Sequence, residues 1–488
     1  MKPLRSFVAG LLAFLIAAAA PIQSVQSFGL GTLGSNGGFG TSGSQGRARI
    51  SPPVGFSWPF NQYPIKIQQS GPNSFTTNFV PESYAGPALA GQSFYFDCGT
   101  GNDANPGTSG SRVKSIWKAT QLGNATGAPF NVHGNTVAGG CPRENGFSNV
   151  STVVPNTQPA AYIIDGGGTL DIWTGSTLTW SGSPDPTFTT LYTATRAAVS
   201  QVINPTILDA YGDPIMATKY ADAATANAAS GSAWAQVGST LYVKWAGGAA
   251  VTNTNTRALL QSTPNFVTDG TSKDVYLKGF NFQGGANGAV AMTAAATMNF
   301  IAVNVKACYS GDSTNSVNGF KLDFITGLAA LVNSVGCNAE ADGINSHWTP
   351  GGTPGLYTLT INSVGRNNGR DTVQSCNGLT SHDGVISIDV GGEYFGNFGA
   401  NVIPINASQT WAVGTYAHDS QGDVGHGGAT TPTDFQTQNT AMMWIQNGRS
   451  AVSATSLLAS NTSTIKTRNF LPGGGQTPGA GGGTITTF

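Results

Sequence analysis

A repeat constrains this chain more than any other feature. Between residues 275 and 420, short β-branched runs recur, among them Phe300-Ile-Ala-Val-Asn-Val, Leu328-Ala-Ala-Leu-Val, Tyr357-Thr-Leu-Thr-Ile and Val385-Ile-Ser-Ile-Asp-Val. Each is followed by a small residue and a polar turn. Aligned on Ala307, Gly336, Gly365, Gly392 and Ala417, the units are spaced by 29, 29, 27 and 25 residues. A second run follows in several units: Asn318-Gly-Phe-Lys-Leu-Asp, Asp342-Gly-Ile-Asn-Ser-His, Asn377-Gly-Leu-Thr-Ser-His and Asn401-Val-Ile-Pro-Ile-Asn. A unit this short cannot bury its apolar face alone, so units must stack, with parallel strands about 4.8 Å apart. The density of Gly, Thr and Asn excludes a helical repeat. The pattern therefore predicts an all-β solenoid.

Composition narrows the partners. Of 488 residues only 9% are charged, 22 Lys+Arg against 23 Asp+Glu, so Ser, Thr, Asn and Gln must wet the surface. A net charge of −1 without a basic run argues against nucleic acid or an anionic membrane as partner. Residues 1–27 read as a signal peptide, with Lys2 and Arg5 ahead of an apolar run from Phe7 to Ala20. No later segment is apolar enough to cross a membrane, which predicts a secreted or cell-surface protein. Residues 28–92 read as a Gly/Ser/Pro-rich linker and irregular segment, 93–460 as the repeat domain, and 461–488 as a Gly-rich flexible tail. The five cysteines leave at least one thiol unpaired within a monomer. Without Cys-x-x-Cys or a tight His/Cys cluster, no metal site is expected.

The segment Phe94-Tyr-Phe-Asp-Cys-Gly-Thr-Gly-Asn-Asp-Ala-Asn-Pro-Gly-Thr precedes a helix-patterned run, Val113 to Leu122, that contains Trp117. This opening resembles that of right-handed parallel β-helix proteins of the pectate-lyase-like superfamily. Ser232 to Trp245 is similar to a β-hairpin that often precedes their repeats. The resemblance implies a single-stranded right-handed parallel β-helix whose N-terminal helix caps the first open coil. It covers about 93–460 and does not by itself imply a reaction.

Stacking turns spacing into geometry. One column reads Cys308, Cys337, Arg366, Glu393 and His418, which would set Arg366 beside Glu393. A second reads Asp323, His347, His382 and Asn406, with Asp383 next in sequence to His382. Two imidazoles flanked by carboxylates suit general acid–base work. The longest loop before this column, 367–376, carries Arg370 and Asp371, placed to reach over a groove. The strand Asn377-Gly-Leu-Thr-Ser-His-Asp also resembles the Tyr-Gly-x-Asp-Pro-His-Asp motif of β-helical alginate epimerases. Gly378, His382 and Asp383 match it, while Asn377, Thr380 and Ser381 stand where the motif has Tyr, Asp and Pro.

These residues point to a polysaccharide-acting protein, a lyase or epimerase on a uronate-containing glycan. His382 would be the base, Asp383 its orienter and His347 the partner acid. Arg366 or Arg370 would neutralise the uronate carboxylate. Asp323, Asp371 and Trp348 would contact substrate. The residues single out no certain cofactor, and Ca²⁺ is the one ion they leave open. Ca²⁺ has carboxylates at Asp371, Asp383, Asp389 and Glu393 to call on, fewer than its usual six to eight oxygens. The alternative is a non-catalytic glycan-binding or adhesive surface protein in which Trp348, Tyr394, Phe395 and Phe398 stack on sugar rings. A hydrolase would need two carboxylates flanking the scissile bond, and no such pair is evident.

Overall fold

The computed structural model describes residues 48–143, 155–261, 264–292, 295–312, 317–348, 355–369, 376–422, 432–478 and 482–488. The signal peptide expected at 1–27 lies outside them, as do residues 28–47 of the expected linker. Within the described residues the chain is mostly β, and three parallel sheets dominate it. One rung shows the pattern. Phe300–Val303 lies in a 13-stranded sheet (the long sheet), Lys306–Cys308 in a nine-stranded one (the cysteine sheet) and Phe320–Asp323 in another nine-stranded one (the histidine sheet). The next rung repeats this order with Ile325–Val332, Val335–Cys337 and Ile344–His347.

Left-handed residues make the corners. Between the long and cysteine sheets the chain turns at Asn304 (φ 52°), Asn333 (49°), Asn362 (47°), Gly391 (65°), Gly414 (67°), Asn447 (54°) and Asn469 (52°). A single such residue redirects the chain without a loop, so successive strands stay within one short rung. Asn and Gly tolerate this conformation best, since a Cβ otherwise crowds the following carbonyl. This accounts for the Asn-rich turns between the apolar runs.

Most strands of the long sheet are apolar on both faces, as expected where both are covered, while Leu356–Ile361 and Ile386–Val390 turn hydrogen-bonded Thr358, Thr360, Ser387 and Asp389 inward. Leu277, Phe300, Leu331 and Ile445 face the interior core, while Tyr276, Ile301, Leu359, Ile388, Trp411 and Trp444 face the other way. What covers that outer face is the N-terminal segment. Ala48–Ile50, Ile67–Gly71 and Ser74–Thr77 form a small antiparallel sheet whose Ile67 and Phe75 pack there with Trp58 and Tyr63. The segment expected to be irregular is thus a strap over the stack. Its aromatic spacing matches rungs hundreds of residues away rather than any local period.

A helix, Ile116–Ala125, is capped by Ser115 and inserts Ile116 and Ala119 into the interior core at the first strands. Between Leu170–Trp173 and Phe266–Thr268 the chain leaves the stack to build a largely antiparallel side module with its own core around Val202, Trp234 and Val243. The hairpin expected near 232–245 is part of it, Ala233–Val237 against Thr240–Lys244. At the other end, Thr464–Arg468 and Thr484–Thr487 extend the long sheet, and Gly475–Pro478 extends the histidine sheet. The tail from 461 therefore continues the stack, because its Thr and Ile residues pair even where glycines dilute the pattern.

Disulfides join Cys98 to Cys141 and Cys308 to Cys337, and Cys376 is a buried thiol. Two outcomes are expected. Asn333→Val should lower stability by about 1–2 kcal/mol, the cost of a left-handed L-residue, while Asn333→Gly stays near neutral. Urea titration checks both. Replacing Cys308 and Cys337 by Ser, which opens a loop with a sequence separation of 29, should cost about 3 kcal/mol in the same assay.

Candidate functional site

The histidine sheet presents the candidate site. Phe320, Leu322, Ile344 and Leu379 point into the interior core. Strand alternation therefore sends Lys321, Asp323, Asn345, His347, Thr380 and His382 to the outer face. Register pairs Asp323 with His347 and His347 with His382. The two imidazoles stack, with centroids 4.2 Å apart and planes 8° from parallel. The Asp383 Oδ2 lies 3.6 Å from His347 Nδ1, so the carboxylate acts on that ring as a nearby charge rather than through a short hydrogen bond.

Asp383 stands at a left-handed corner (φ 61°) and continues a column of Asn406, Asn439 and Asn461 at φ 60°, 60° and 58°. The Asn406 amide donates to Asp383 Oδ1, Asn439 donates to Asn406 at 2.6 Å, and Asn461 donates to Asn439 at 2.8 Å. Asn406 thus belongs to the Asp383 column and not, as the spacing predicted, to that of His382. A carboxylate replaces the ladder's amide only where the imidazole pair adjoins it.

Other expected residues fall elsewhere. In the cysteine sheet Gly365 pairs with Tyr394, and Tyr394 with Ala417, so Arg366 aligns with Phe395 rather than with Glu393. Gly392 lies two residues short of the true partner, Tyr394: it follows the corner at Gly391 and mimics the strand glycines of the earlier rungs. Arg366 is buried, and its Nε donates to Asp213 of the side module at 3.0 Å. Lys306 reaches the same carboxylate at 3.1 Å. Arg366 therefore ties the side module to the stack and is not part of the histidine wall. Glu393 instead accepts from or pairs with His418 at 3.2 Å, and His418 is raised on balance because its contacts to Glu393 and Asp419 outweigh burial. Trp348 turns to the core over Gly355, where a Cβ would lie 2.7 Å from its ring. Tyr394 is fully buried, and Phe395 nearly so. Arg370 and Asp371 lie outside the described residues.

Sequence reasoning missed two neighbours. The Lys321 Nζ lies 3.5 Å from Asp323 Oδ2, supplying the cation that Arg366 does not. Phe324 is 37% exposed and holds φ 56°, an unusual conformation for a bulky residue and a signal invisible in sequence. Burial raises the Asp323 carboxyl above the usual range despite Lys321 and His347, and its Oδ1 has no hydrogen-bond partner. The Oδ1 of Asn345, itself buried, is also unpartnered on the same face.

His347, His382 and Asp383 offer ligand atoms within 4.8 Å of one another. Imidazole lone pairs lie in the ring plane, so one ion cannot sit in both of two stacked, parallel planes. A metal would need one ring to turn. Two of the three donors are nitrogen, which suits a borderline ion better than Ca²⁺.

Neither a family model nor a curated protein matches the sequence. Two solved structures are similar at 9% identity. XylC in complex with xylose covers 78% of this chain and 68% of its own, with a TM-score of 0.36. A glycoside hydrolase covers 81% of this chain and 96% of its own, with a TM-score of 0.29. Likenesses this loose carry no conclusion about the reaction. Among the described residues, no helix is long and apolar enough to cross a membrane.

Burial, reinforced by the facing His347, pushes His382 down to about 3. In the unfolded chain a histidine protonates near its ordinary value of about 6.5. Between those limits the unfolded state binds the extra proton, so stability falls as pH drops through that window. His382→Phe keeps a flat ring against His347 and removes the proton site. Calorimetric midpoints measured from pH 7 to 4 should fall less steeply for this variant than for the native chain. Equal slopes would contradict the depressed value.

Proposed function

We propose that this protein is a secreted or cell-surface, single-stranded right-handed parallel β-helix that acts on a uronate-containing polysaccharide as a lyase or epimerase. The observation that carries the reading is the stacked His347–His382 pair beside Asp383 on the outer wall of the histidine sheet. Export rests on residues 1–27 alone.

The chemistry begins with removal of the proton at the carbon beside the uronate carboxylate. His347 is better suited to take it than His382. It is the more open to a substrate, with a side chain 32% exposed, and Asp383 stabilises the imidazolium that forms. His382, held neutral by burial, serves as the plate that fixes the ring of His347. Lys321 is the cation available to the substrate carboxylate as negative charge builds up. In elimination, the bond to the leaving oxygen breaks, its electron pair departs with that oxygen, and a carbon–carbon double bond remains. In this reading Asp323, kept protonated to higher pH by burial, supplies the proton that oxygen needs. In epimerisation the bond to oxygen stays intact, a proton from water adds to the opposite face of the same carbon, and His347 releases the proton it took to solvent.

One observation favours the alternative of a non-catalytic glycan-binding or adhesive protein. Phe324 offers an exposed ring beside the wall, at a backbone conformation that a bulky residue adopts at a cost. Product formation separates the two readings. Incubation with a panel of uronate polymers, followed by ultraviolet absorbance for unsaturated ends and by proton NMR for inverted units, should show turnover with at least one polymer. His347→Ala should lower the rate by about 10²–10⁴-fold, the usual contribution of a positioned acid or base. Binding without product across the panel would leave the adhesive reading in its place.

A further inference from the structure

We propose that the cleft between the side module and the stack is a second carbohydrate site, one that takes a neutral, hydroxyl-bearing sugar unit. It does not depend on the histidine wall being catalytic. The cleft has a volume of about 380 Å³, and its lining includes Gln201, Met216, Lys219 and Trp234 from the side module with Glu340 and Phe398 from the stack. Glu340 and Phe398 stand in the turns that precede Ile344–His347 and Val402–Pro404, whereas His347 and His382 end their strands. The two sites therefore lie at opposite edges of the histidine sheet.

The cleft's polar groups select for donors. Gln201 is only 6% exposed, and its Nε2 donates to the Ser310 carbonyl at 3.1 Å, yet its Oε1 has no hydrogen-bond partner. The Glu340 carboxylate, whose Oε2 accepts from the Asp312 N–H at 2.7 Å, lies close by: a Cβ on Gly311 would meet Glu340 Oε1 at 2.7 Å and Gln201 Nε2 at 3.1 Å. An orphaned amide carbonyl next to a carboxylate asks for O–H or N–H groups and repels a uronate. Exposed Lys219, with its Nζ 5.1 Å from the Trp234 ring, balances the charge of Glu340, so the cleft offers no net attraction to a polyanion. Half-buried Phe398 and Met216 supply the apolar side against which a sugar's C–H face packs. Together these groups match one hydroxyl-rich ring that is polar on its edge and apolar on its face.

Isothermal titration calorimetry of the full chain tests this, using neutral tetrasaccharides of β-1,4-linked glucose, mannose and galactose, with tetragalacturonate as the acidic comparison. At least one neutral tetrasaccharide should bind. Gln201→Leu and Phe398→Ala should each weaken that binding at least tenfold in protein whose circular dichroism matches the native chain, and His347→Ala should leave it unchanged. If Gln201→Leu does not fold, Phe398→Ala decides alone. The proposal is overturned if no neutral tetrasaccharide binds, if binding survives the substitutions in the cleft, or if only tetragalacturonate binds in a manner sensitive to them.

Discussion

Left-handed corner residues hold this architecture together in the geometric sense. A parallel strand needs its neighbour in register one rung away, and a long connection would leave the rungs free to slip. A single residue at positive φ turns the chain from one sheet into the next and keeps the rung short. Asn304, Asn333 and Asn362 occupy one such corner in successive rungs, and Asp383, Asn406, Asn439 and Asn461 another. Side-chain amides then hydrogen-bond along the second column and pin each rung to the next. Parallel sheets lack hairpins to set register, so these columns do that work.

The candidate site grows out of the same constraint. Because corners fix the register, His347 and His382 fall one strand apart and their rings stack instead of diverging. Asp383 occupies a corner that elsewhere carries Asn, which converts a structural column into a source of charge beside an imidazole. The cost is visible on the surrounding wall, where Asp323 and Asn345 keep unpartnered oxygens in a buried setting. Unsatisfied polar atoms of this kind are poor for stability and well suited to a ligand. By contrast, the buried Arg366–Asp213 pair spends its charge on joining two parts of the fold.

Much of this was legible in the chain. Apolar runs about 29 residues apart announce stacked strands, and the alternation in Ile344–His347 and Leu379–His382 puts both histidines on one face. The reading failed where rung lengths change. From Gly365 to Tyr394 the spacing stays 29, but Tyr394 to Ala417 is only 23, and Gly392, just after the corner at Gly391, takes the place of the strand glycine in the pattern. That slip moved Glu393 next to Arg366 on paper. The strap was missed for another reason: Trp58, Tyr63 and Phe75 have no local period because their partners are Tyr357, Trp411 and other residues of the long sheet.

The sequence by itself determined the all-β stack, the turn chemistry of its corners and the pairing of the two histidines, since these depend on local periodicity and on what Asn and Gly allow. Only the tertiary structure decided where the charges act. Asp213 meets Arg366 across 153 residues, and the side module folds back to form a cleft with Glu340 and Phe398. Those contacts depend on how far the inserted module travels before it returns to the stack. No repeat spacing encodes that distance.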